Sequence, residues 1–325
     1  MRQSRHAFTL PEMLVSITVL AFIVLFVTRL VNSAAMIATL GGKHMDADAQ
    51  VRPLFDRMAT DLSQIVKRND VEYNLKFSSA PAPWTSNLMN TGDHNDRMTF
   101  FSTVPGDVPS TGSPSPLSLI AYRVCSSTAA NNLAFYTRLQ RFARGMLWGK
   151  MFNGTNSAVA DGPMPFGAIS TTAANGGIST IWASAVSSTT NDVRYELTGP
   201  QVFRFEYYYL LTNGSLSVEP WIPANGYTTT SVPACSAPPF GGLRDVAAIV
   251  VAVATIDPKS RVLLTNTQIG ALAASLADYT AGTAPGQLLA TWQTALNNNA
   301  ANLPRPTVSA IRLYERYFYL PPTSF

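Results

Sequence analysis

The chain has 325 residues, 46% of them hydrophobic and only 13% charged, with a formal charge of +4 and two cysteines. That length fits one large domain or two small ones, and abundant Gly, Pro, Ser, Thr and Asn favour turns and strands over helix bundles. No basic patch with interleaved aromatics is present, so nucleic acid is not an expected partner, and no Cys/His cluster has zinc-ligand spacing.

Residues 1–7 carry Arg2 and Arg5 and no acid. Phe8 to Thr28 follow, apolar apart from Thr9, Glu12, Ser16 and Thr18. At about 1.5 Å per residue this run spans about 32 Å, close to a hydrocarbon core. Arg29 stands at the far end, where its stem can snorkel to the interface. Basic residues ahead of the span place the N-terminus in the cytoplasm and the remainder across the membrane. A cleaved secretory signal is the plain alternative, with Ser33-Ala34-Ala35 imitating a cleavage site. Neither a signal nor a simple anchor accounts for Glu12, because a carboxylate inside a membrane is costly and needs a partner or a purpose.

Beyond the span, Gly41-Gly42 weaken the helix by about 1 kcal/mol each relative to Ala. Val51, Leu54, Phe55, Met58, Leu62, Ile65 and Val66 then recur at helical spacing. Arg52, Asp56, Arg57, Asp61, Lys67 and Arg68 are assigned to the other face. Pro53 clashes with the carbonyl of Ala49 in a straight helix. The sequence therefore predicts a long helix through residues 8–30 and 31–70, interrupted or kinked near 41–53. Residues 71–325 form a β-rich head. Strands are predicted over Met98–Val104, Leu117–Cys125 and Leu133–Phe142, the last two joined by a turn at Asn131-Asn132. "GPQVFRFEYYYLLTNGSL" reads as a strand, a turn at Asn213-Gly214 and a return strand. Alternation puts Phe203, Phe205, Tyr207 and Tyr209 on one face and Val202, Arg204, Glu206, Tyr208 and Leu210 on the other. Val246–Ile256 suits a buried central strand. Short helices are predicted near 268–277 and 286–297, and a last strand over Ser309–Leu320. The predicted fold class is α+β, a long N-terminal hydrophobic helix packed on an antiparallel sheet.

Catalytic constellations are missing from the sequence: there is no G-x-S-x-G, Walker loop, H-E-x-x-H or G-x-G-x-x-G. His94 stands in the head without identifiable partners for a triad. "GDHND", residues 92–96, offers oxygen ligands but lacks an EF-hand pattern and reads as a solvated turn. The Tyr207-Tyr208-Tyr209 run cannot give a flat sugar platform, since alternation turns Tyr208 away from its neighbours. No enzyme activity, metal or cofactor is expected. Two cysteines in an exported domain can form one disulfide, and Cys125 with Cys235 is the candidate pair.

Ala7-Phe8-Thr9-Leu10-Pro11-Glu12, followed by a hydrophobic helix, resembles the processing site of type IV pilins and pseudopilins. The resemblance implies that a prepilin peptidase cuts between Ala7 and Phe8 and methylates the new amine, making Glu12 the fifth mature residue. Gly usually precedes the cut, and Ala7 stands in its place. The resemblance also implies the purpose of Glu12: a neighbouring subunit's terminal ammonium compensates it, so the pair sets stacking register. Pro11 falls in the first turn, where its missing N–H costs little. "RPLFDRMATDLSQIVKR" is similar to the helix end of J-type minor pseudopilins. "LVNSAAMI", "DRMATDLSQ", "VVAVATIDPKSRVLL" and "RLYERYFYL" together resemble the Verru/Chthon cassette protein C family. The implied function is a minor pilin or pseudopilin subunit in the inner membrane, its head periplasmic and its partners other pilin-like subunits. A pilin-anchored module that binds cargo or a surface ligand is the alternative.

Overall fold

The structure, a computed structural model, describes residues 10–67, 94–106, 114–125, 136–147, 195–222, 243–299 and 303–322. The chain divides into two compact units, Met1–Asp46 and Ala47–Phe325. In the first unit the described residues are all helix, the start of α1 (Leu10–Ser63). Neither Gly nor Pro occurs between Glu12 and Leu40, so nothing in that stretch opposes helix.

No break in the helix occurs near 41–53, one of the two forms the expectation took. α1 is helical through Gly41, Gly42 and Pro53. Ala49 and Pro53 are exposed, so water can serve the carbonyl that Pro53 leaves without a donor. On the opposite side Val51, Leu54, Phe55, Met58 and Leu62 are buried and fix the turns around the proline.

The second unit contains two four-stranded antiparallel sheets where the sequence predicted one. The first is a meander of β1 (Arg97–Ser102), β2 (Pro114–Val124), β3 (Leu139–Leu147) and β4 (Tyr195–Gly199), paired in chain order. The strand expected over Leu133–Phe142 starts later, at Leu139, behind a turn at Tyr136-Thr137. The Asn131-Asn132 turn lies outside the described residues. The second sheet runs β6-β5-β7-β8, from β5 (Val202–Leu211), β6 (Leu216–Ser217), β7 (Val246–Ile256) and β8 (Ile311–Tyr319). β7 is central and buried, as its unbroken apolar, β-branched sequence requires. The turn at Asn213-Gly214 is present, with Gly214 at φ 83°, a conformation that favours glycine.

The face assignment of β5 holds except at its start. Val202 pairs with Thr255 and Arg204 with Ala254, leaving Phe203 as an extra residue. This bulge reverses the alternation: Val202 joins Phe205, Tyr207 and Tyr209 in one core cluster, and Phe203 joins Tyr208 in the other. The first cluster gathers the buried stripe of α1, strands of both sheets and Phe318. The second fills the opposite face of β5-β7-β8 with four short helices inserted between β7 and β8: α2 (Pro258–Arg261), α3 (Asn266–Ser275), α4 (Gln287–Asn299) and α5 (Arg305–Val308). α3 starts in a capping box, Thr265 with Gln268. α4 buries the predicted stripe Leu288, Trp292 and Leu296. β5 and β7 are therefore buried on both faces, while most of β8 is half-buried, and each face has its own helical cover.

Candidate functional site

Every residue from Leu10 to Ala38 is exposed, and the segment has a mean hydropathy of 2.5 over a length that can cross a membrane. Contiguous apolar surface of this extent needs lipid or other helices against it. Glu12 lies in its first turn, where the helix dipole favours an acid. Three hydroxyls along the segment turn back into the helix: Ser16 donates to the Glu12 carbonyl at 2.8 Å, Thr28 to the Val24 carbonyl at 2.7 Å, and Thr18 to the Leu14 carbonyl. Each hydroxyl thereby meets an acceptor without needing water, which suits an apolar surrounding. Ala7 and Phe8, the expected processing residues, lie outside the described residues. Cys125 is buried at the end of β2, and Cys235 lies outside the described residues.

The sequence placed Asp61 on the polar face of α1, and the structure corrects this: Asp61 has no solvent exposure. Arg141 of β3 grips it with two parallel bonds, Nε to Oδ2 at 2.6 Å and Nη2 to Oδ1 at 2.9 Å. The Tyr122 hydroxyl of β2 donates to Oδ2 at 2.5 Å. The remaining Arg141 nitrogen donates to Glu196 of β4 at 2.7 Å. Ser102 of β1 donates to the Asp61 carbonyl at 3.0 Å. The Asp61 carboxylate thus ties α1 to β2 and β3, its backbone carbonyl meets β1, and Arg141 carries the network on to β4. Burial and the Asp61 charge both hold the Tyr122 hydroxyl well above its usual pKa. For Arg141 burial pulls the pKa down, but the Asp61 bonds and charge outweigh it and the net direction is up. The missed signal was position: Asp61 follows Met58 by three residues and precedes Ile65 by four, inside the buried stripe.

A second ionic cluster lies on β5. All five N–H groups of buried Arg204 find acceptors: the carbonyls of Leu276 at 3.2 Å, Phe205 at 2.9 Å and His94, and the carboxylates of Glu206 at 2.9 Å and Asp278 at 2.6 Å. Glu206 also accepts from the Tyr279 amide at 2.8 Å.

The solvated-turn reading of "GDHND" is corrected at Asn95 and Asp96, which are buried, while Gly92 and Asp93 lie outside the described residues. Asn95 Oδ1 accepts from the Phe205 amide and Asp96 Oδ2 from the Tyr207 amide, both at 2.8 Å, and the Asp96 amide donates to the Phe205 carbonyl at 3.0 Å. β6 pairs only with Tyr209 and Leu210, so these side chains serve the part of the β5 edge that β6 leaves uncovered. A short polar segment completes a strand edge that would otherwise carry unmet amides.

His94 stands 3.8 Å from Asp278, too far for a hydrogen bond, and its backbone carbonyl is what Arg204 uses. These bonds clamp β5 to His94 and to the segment Leu276–Tyr279. Among the described residues no group of three or more His, Cys, Asp or Glu side chains is placed to hold a metal. No family model matches this chain, and neither a characterised protein nor a solved structure is detectably similar to it.

Proposed function

We propose that the chain is a structural, non-catalytic minor subunit of a type IV pilus-like or type II secretion-like filament. In this reading a prepilin peptidase cuts before Phe8, and the apolar helix stays in the inner membrane until assembly, with the head in the periplasm. Glu12 then meets the freed amine of a neighbouring subunit and fixes the stacking offset, while the head engages sibling subunits or cargo. The carrying observation is the fully exposed apolar segment Leu10–Ala38 with a carboxylate two residues inside it. A carboxylate there costs several kcal/mol unless it is compensated or neutral. A register device gives that cost a use, and the "AFTLPE" resemblance names the device.

Two measurements test the reading. Mass spectrometry of the N-terminal peptide from cells should find a chain beginning at Phe8; a mature chain starting elsewhere, or keeping Arg2 and Arg5, overturns it. Glu12→Val should leave a folded, membrane-held protein that enters filaments poorly. Normal incorporation of that variant removes the role given to Glu12. Binding of the chain to a glycan or secreted protein with no affinity for pilin-like subunits would favour the anchored-module alternative.

A further inference from the structure

Arg261, the last residue of α2, reaches the turn just before β3, one residue from Arg138, and the two charges act on each other. Arg261 is 9% exposed, and its Nη2 donates to the Tyr136 carbonyl at 2.6 Å and the Thr137 hydroxyl at 2.8 Å, beside Arg138 in the chain. Tyr136 is wedged on α3, where a Cβ at Gly270 would come within 2.7 Å of its hydroxyl oxygen. Arg261 Nη1 and Arg138 Nε are shielded from solvent and have no hydrogen-bond partner among the described residues. Neither side chain makes a salt bridge to a described carboxylate. Elsewhere in this head Arg204 fills five acceptors, and Arg141 grips two carboxylates. Two neighbouring cations with shielded N–H groups and no counter-charge among the described residues favour a bound negative charge, since an uncompensated buried cation is strongly unfavourable. Paired guanidinium forks match the geometry of an oxyanion.

We propose that Arg138 and Arg261 form a binding site for a small oxyanion, a phosphate, sulfate or carboxylate group, bridged between Arg138 Nε and Arg261 Nη1. Arg138 is only half-buried, so the ion enters from its side. Burial, and then the neighbouring Arg138 charge, push the Arg261 pKa down to about 10, which agrees with a cation lacking its counter-ion. The inference is independent of the filament reading.

The test uses the full chain in detergent, unfolded in urea, desalted and refolded at pH 7. Urea midpoints are measured in sodium phosphate, sulfate or acetate against chloride at equal ionic strength. Phosphate and sulfate stabilise any fold somewhat by exclusion from its surface, so Arg138→Gln and Arg261→Gln are run in the same salts. The expected result is a saturable rise of the wild-type midpoint with an oxyanion, at least ten-fold weaker in apparent affinity in either variant. Phosphate acting alone would assign a tetrahedral ligand, and acetate acting equally would assign a carboxylate. A wild-type midpoint that does not rise, or an equal rise in Arg138→Gln, overturns the site. Should Arg261→Gln fail to refold, the partly exposed Arg138→Gln decides the matter.

Discussion

A carboxylate with no solvent exposure survives in a fold only when its oxygens are filled, and Asp61 fills them from Arg141 and Tyr122. The geometry decides the consequence of losing either partner. Removing one member of a buried pair strands the other, which costs about 3–5 kcal/mol, whereas replacing both with apolar groups of similar volume is close to neutral. Asp61→Leu should therefore lower head stability by about 3–5 kcal/mol, and adding Arg141→Met should restore much of it. Chemical unfolding of the two variants checks this. If Asp61→Leu alone proves neutral, the bidentate pair is not what joins α1 to the meander sheet. The residue was visible in the sequence, but its charge argued for the surface while its position in the apolar stripe argued for the core. Asn95 and Asp96 went astray the same way. Their types suit a solvated turn, and only the uncovered β5 amides, which come from residues over a hundred positions away, give them a buried task. Side-chain chemistry predicts burial badly when the partner is remote in sequence.

Elements were easier to read, because the period of the apolar pattern is local. β7, β5, β8 and the helices α3 and α4 follow from runs, alternation and stripes that need no knowledge of the rest of the chain. Two failures share a cause. The Phe203 bulge and the unbroken α1 both arise where packing overrides a local rule. In α1 the override is large, since a proline in a helix interior costs about 3 kcal/mol relative to Ala. The flanking residues Val51, Leu54 and Phe55 are buried in the main core, and Phe55 meets Phe318 of β8 edge-on at 5.9 Å. Arg316 of β8 also reaches Asp56 at 3.2 Å, although that exposed pair adds little. Pro53→Ala restores an N–H toward the Ala49 carbonyl on the exposed side and disturbs no core contact. It should raise stability by about 1–3 kcal/mol, measured as a higher urea midpoint. A lower midpoint would mean that the proline is matched to a local distortion that the helix requires.

At the scale of the whole molecule, the division into two sheets was not legible. Nothing in the local pattern of β4 or β5 says that the chain leaves one sheet after Gly199 and begins another at Val202. The division produces a head with two cores sharing one sheet, and tyrosines fill much of both. Their shared titration gives a prediction for the whole molecule. Burial, with nearby acids or tyrosines, raises the pKa of Tyr122 and Tyr207 well above 10, and raises that of Tyr208 as well. In the unfolded chain each titrates near 10. Above that pH the unfolded state gives up protons that the folded state keeps, so stability is intact below about pH 10 and falls beyond it. Arg261 works in the other direction: burial lowers its folded pKa to about 10, so the folded state releases a proton first and gains stability as pH rises. Tyr314 and Tyr317 are raised as well and Lys67 is lowered, so five tyrosines against two basic groups leave about three protons net, a fall of about 4 kcal/mol per pH unit. Urea midpoints should stay nearly level from pH 7 to 9 and then drop steeply from about pH 10. Tyr208→Phe should flatten that drop by about one proton while leaving the Asp61 junction intact. A midpoint that stays level to pH 11 would mean that these hydroxyls are open to water, and with that the two-faced burial of β5 and β7 would fail.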